Sequence, residues 1–139
     1  MPDKPKGEGA VLERSGLNVS PIVRTIAECP PIMGGDKTII REILHPGSEG
    51  LEIRYSLAQA SLEVGQVSLP HIMKTCEVYV LIRGKGIMHV NDQINEVSPG
   101  QVVYIPPGAK QFIENTGTER LEFLCIVDPA WRPEDEESA

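Results

Sequence analysis

From Gly65 to Val127 the chain is cut into short apolar runs by turns rich in glycine and proline, about one every 6–12 residues. The runs are VSLPHI (67–72), EVYVLI (77–82), IMHV (87–90), INEV (94–97), QVVYIP (101–106), QFIEN (111–115) and LEFLCIV (121–127). RGKG, NDQ, SPG, PGAK and TGTER punctuate them. None reaches the length of an ordinary helix, and tight turns between neighbouring runs return the chain antiparallel. Many short strands at this spacing define an all-β sandwich or barrel.

Upstream the pattern is looser. PIVRTIAECPPIMGG (21–35) carries a short apolar stretch that Pro30-Pro31 and Gly34-Gly35 end. TIIREIL (38–44) reads as a strand and HPGSEG (45–50) as a loop. LEIRYSLAQASLEV (51–64) contains helix formers, but Ile53, Tyr55 and Leu57 alternate with Arg54, Ser56 and Ala58, and we read it as strand. The chain divides into a flexible N-terminal arm (1–20), one barrel domain (21–131) and an acidic, solvated C-terminal tail (132–139).

One core suffices for 139 residues. With one Trp, three Tyr and two Phe, that core leans on Val, Ile and Leu. A net charge of −7 repels phosphate backbones and argues against nucleic acid. Three cysteines, Cys29, Cys76 and Cys125, are too far apart for a metal motif and too few for a disulfide framework. No apolar run follows the N-terminus as a secretory signal would, and no stretch approaches a membrane span, so a cytoplasmic protein without membrane partners is expected.

Strand parity brings the chemistry together. His71 and Met73 share one face, Glu77, Tyr79 and Leu81 another, Gln111 and Ile113 a third. If these faces line one interior, the imidazole of His71, the carboxylate of Glu77 and the amide oxygen of Gln111 converge, each offering a lone pair. Three such donors leave room for water on a divalent ion. They can equally hydrogen-bond among themselves with no ion present. Tyr79 stands on the Glu77 face, where its hydroxyl can meet a ligand or its ring can pack. On LEFLCIV both faces are apolar, so Cys125 either lines the lumen or is an inert core thiol. His45 reads as a loop residue, and Arg54 and His89 as surface groups. RGKG joins two strands and is a hairpin turn, not a phosphate loop.

Here the sequence resembles the cupin superfamily. Gly65, His71, Glu77 and Gly84 follow its first motif, and Gly100, Pro106, Gly108, position 111 and Asn115 its second. The resemblance spans Gly65–Asn115 and implies a single double-stranded β-helix (jelly-roll) barrel. It also implies four metal ligands, typically three His and one Glu. Two of these positions depart from the pattern: Met73 stands where a second His is expected and Gln111 where the third is. The implied site is thus His71, Glu77 and Gln111, with Met73 a weak fourth donor, around Zn, Fe, Mn, Ni or Cu, or around none. Sugar-phosphate isomerases of this fold are similar in using Gln. The pattern also turns Met88 inward, so Tyr79, Met88, Ile113 and Cys125 are the expected pocket residues.

Two functions follow from the resemblance. One is a divalent-metal cupin acting on a small polar molecule, as an isomerase or epimerase or as a dioxygenase. The other is a metal-free module that binds or senses such a molecule. Open barrel edges and the habit of small cupins imply a homodimer.

Overall fold

The computed structural model describes residues 20–139, and the expected arm lies outside them except for Ser20. Among the described residues eleven strands form two antiparallel sheets facing each other. The first sheet, in spatial order, contains β1 (Pro31–Met33), β2 (Ile39–Leu44), β3 (Ser56–Leu62), β10 (Leu121–Asp128), β5 (Cys76–Arg83) and β8 (Val102–Ile105). The second contains β11 (Glu136–Ser138), β4 (His71–Met73), β9 (Lys110–Asn115), β6 (Gly86–Val90) and β7 (Gln93–Val97). This is the all-β barrel the turn spacing predicts. Among the described residues no helix is long and apolar enough to cross a membrane.

Alternation decides what is inside. Along β5, Glu77, Tyr79 and Leu81 are buried while Val78 and Val80 are half-exposed, and β10 repeats the pattern with Leu121, Phe123, Cys125 and Val127 inward. The core proper gathers Leu62, Leu81, Met88, Ile105, Ile113 and Phe123. Each fully buried aliphatic chain of this kind contributes roughly 1.5–3 kcal/mol relative to an exposed one. The hairpin RGKG joins β5 to β6, and two glycines permit it. A Cβ on Gly84 would lie 2.6 Å from the Arg120 carbonyl oxygen, with φ at +81°, and one on Gly86 would lie 2.4 Å from that of Glu114. Asn115 ties the far end of the second motif together, donating to the carbonyls of Leu62 and Glu119 and accepting from the Gly117 amide.

Several segments differ from expectation, VSLPHI among them, which is strand only from His71 onward. HPGSEG is a one-turn helix, α1 (Pro46–Glu49), with His45 capping its start through the Gly47 amide and Gly50 closing it in the left-handed region. The 51–64 strand is ordered as strand only over Ser56–Leu62, where β2 and β10 flank it. The tail keeps most of its side chains exposed, but its backbone is not left unpaired. Glu136, Glu137 and Ser138 pair antiparallel with Met73, Ile72 and His71, so the chain end closes the open side of β4. Backbone hydrogen bonds outweigh the polarity of the side chains here, because β4 without β11 would present unpaired amides.

Candidate functional site

A cavity of about 190 Å³ lies between the sheets. His71, Met73, Glu77 and Tyr79 form its floor and are all buried. Ala60, Phe123, Cys125 and Val127 wall it from the first sheet. Exposed Met33 and Trp131 stand at its rim. By liquid volume the space matches roughly six water molecules, well short of a drug-sized pocket.

The three candidate donors sit on three strands. His71 is the register partner of Gln111 across β4 and β9, and Glu77 projects from β5 in the opposite sheet. Burial is nearly complete for all three. Gln111 Oε1 accepts from the Tyr79 hydroxyl at 3.0 Å, whereas Gln111 Nε2 and Glu77 Oε1 have no hydrogen-bond partner. Burial is the main reason that the Glu77 carboxyl is pushed up to about 8, and the negative charge of Asp36 adds to it. The nearby Gln111 amide, short of hydrogen-bond geometry, opposes part of that rise, and Glu136 adds a smaller push upward. At neutral pH Glu77 is therefore mostly a carboxylic acid. Burial, with Glu77 next, holds the Tyr79 phenol and the Cys125 thiol well above their ordinary values, so both stay protonated.

Of the expected pocket residues, Tyr79 and Cys125 line the cavity. Met88 and Ile113 lie in the packed core beside it and do not border it. Gln111 stands behind the floor, reaching the site through Tyr79. Met73 is buried, and its side chain fills part of the floor. His89 stacks on Phe112 at 4.0 Å and pairs with Glu114, away from the cavity.

Three acidic residues at the site were not anticipated: Glu42 on β2, Asp36 and Glu136. Asp36 sits in the turn after β1, where Thr38 donates to its Oδ1 through both the backbone N–H (3.1 Å) and the side-chain hydroxyl (2.6 Å). That grip leaves Oδ2 4.0 Å from His71 Nδ1, which also faces the Leu69 carbonyl at 3.3 Å. Two acceptors beside Nδ1 favour a ring proton on that nitrogen. Glu136 comes from β11. Its Oε1 accepts from the Trp131 indole N–H at 2.9 Å, and its other oxygen lies against Gly35, where a Cβ would be only 3.0 Å away. A turn signal hid Asp36 and the acidic tail hid Glu136; only the β4–β11 pairing could have exposed the second.

A donor set for a tightly held divalent ion needs three or more strong ligands around one point. Among the described residues no group of three His, Cys, Asp or Glu side chains is so arranged. The amide oxygen that would supplement His71 and Glu77 is already engaged by Tyr79. The thioether of Met73 is no ligand for a hard ion. The residues present do not fit a resident divalent metal.

A jelly-roll barrel with a small polar-floored cavity between its sheets defines a class of small-molecule proteins. A family model described as Cupin domain matches residues 58–127, and the chain belongs to that family. It is 38% identical over 109 residues to an uncharacterized protein of Methanocaldococcus jannaschii, covering 77% of this chain and 86% of the relative. It is 32% identical over 97 residues to a glucose-6-phosphate isomerase of Pyrococcus abyssi, covering 66% of this chain but only 47% of that enzyme. Among solved structures, a predicted oxalate decarboxylase from Thermotoga maritima superposes with a TM-score of 0.68 at 25% identity, over 78% of this chain and 99% of the other.

Proposed function

We propose that this cupin binds a small organic molecule in its barrel without a resident metal ion. One observation carries the reading: the carboxyl of Glu77 is buried beside the cavity, and its Oε1 has no hydrogen-bond partner among the described residues. A buried polar atom left bare costs about 1–3 kcal/mol, and a bound molecule that meets it recovers that cost. His71 Nε2 offers a second polar contact, and the apolar wall of Ala60, Phe123 and Val127 takes the ligand's carbon body. Protonated Glu77 can both donate and accept, so the floor suits a ligand with a hydroxyl, carbonyl or amino group.

The named activities of the relatives, glucose-6-phosphate isomerisation and oxalate decarboxylation, give this family's range but not this chain's reaction. The test is metal content by elemental mass spectrometry on full-length protein purified without added metal, beside His71→Ala and Glu77→Ala. Far less than one equivalent of every transition metal, unchanged in both variants, is the expected result. Near-stoichiometric metal lost by both variants overturns the reading.

A further inference from the structure

We propose that the cavity selects a small organic cation, an amine or quaternary ammonium group on a short apolar body. This rests on the metal-independent reading above and names the ligand class of that site. Among the described residues four that bear a carboxyl, Asp36, Glu42, Glu77 and Glu136, line the cavity, and no lysine or arginine does. An anion such as a dicarboxylate or a sugar phosphate would meet like charge with no cation to offset it, at short range and partly shielded from water.

The acidic groups are placed, not scattered. Asp36 is fixed by Thr38 and is largely buried, with 13% of its side chain exposed. Glu136 is held by the Trp131 indole against Gly35. Glu77 adds the independent sign of a missing ligand, a carboxyl more than nine-tenths buried that borders the cavity and whose Oε1 has no hydrogen-bond partner among the described residues. An ammonium group beside Glu77 would favour its ionised form and turn the bare oxygen into a charge-assisted acceptor.

Aromatic side chains complete the arrangement. Trp131 at the rim, and Tyr79 and Phe123 packed at 4.4 Å between centroids in the wall, border the same space. Carboxylates together with aromatic rings recognise ammonium groups by charge and by cation–π attraction. The volume of about 190 Å³ limits the ligand to a small molecule.

The full chain is titrated with isobutylammonium, isobutanol and isobutyrate, and separately with tetramethylammonium, while NMR follows the Met73 methyl and the Trp131 indole N–H. The expected result is that the cations bind on the order of tenfold more tightly than the alcohol and that isobutyrate moves neither signal. Glu136→Gln, which keeps an oxygen for Trp131, is expected to weaken cation binding about threefold and so to narrow the gap between cation and alcohol. Tighter binding of isobutanol or isobutyrate than of the cations overturns the ligand class and leaves the binding reading standing. No shift of either signal with any probe overturns both.

Discussion

The Tyr79 hydroxyl donates to Gln111 Oε1 at 3.0 Å, a hydrogen bond that runs from one sheet of the barrel to the other beneath the cavity floor. It occupies the amide oxygen and fixes which way Gln111 faces, and so settles what chemistry position 111 can offer.

Breaking that link has a definite cost. Tyr79→Phe strands the Gln111 oxygen beside an amide nitrogen that already lacks a partner. It is expected to lose about 1–3 kcal/mol in chemical denaturation. Adding Gln111→Leu removes the stranded groups, and the double variant is expected to recover part of the loss.

Glu77 gives the protein a pH dependence of predictable sign. Its carboxyl is raised from 4.5 to about 8 in the folded state. The stability it contributes is complete below the unfolded value and declines as pH rises through about 8, because ionising the buried group costs free energy. Denaturation at pH 5, 7 and 9 is expected to show falling stability. Glu77→Gln is expected to flatten the curve and to exceed the wild type at pH 9, by an amount on the order of a few kcal/mol.

The last strand has its own signature. Removing residues 133–139 deletes β11 and the Asp135 carbonyl that accepts from the Lys74 amide at 2.8 Å. Hydrogen exchange is expected to accelerate at the Lys74 amide. The Gly108 amide, bonded to the Met73 carbonyl from the other side, is expected to keep its protection.

Gly86 tests the hairpin. A methyl group there collides with backbone at 2.4 Å, not with a side chain that can move aside. Gly86→Ala is expected to destabilise by more than about 3 kcal/mol, read as lost soluble expression or a lower midpoint. Gly65→Ala meets no atom within 4 Å and pays only for its φ of +82°, so it is expected to fold.

The barrel was legible because its signal is local. Alternation along β5, β9 and β10 needs only neighbouring residues, and the turns announce themselves by composition. The buried faces of His71, Glu77 and Gln111 followed from the same parity. The short helix α1 carried its own marks, Pro46 at its first turn and Gly50 at its end, but one turn was too short to outweigh a loop reading. What stayed hidden depends on distant partners. Residues 51–55 alternate like a strand yet are not part of one, and the tail looks solvated until β4 offers it a partner. Asp36 and Glu136 reach the site through those long-range placements, and of its acidic lining spacing revealed Glu77 alone.

Trp131 is the chain's single tryptophan, it stands at the cavity rim, and its indole N–H is bonded to one of the acidic groups there. The protein thus carries a built-in fluorophore at its doorway. Its emission colour and quenching report occupancy in unlabelled protein, with no background from a second indole.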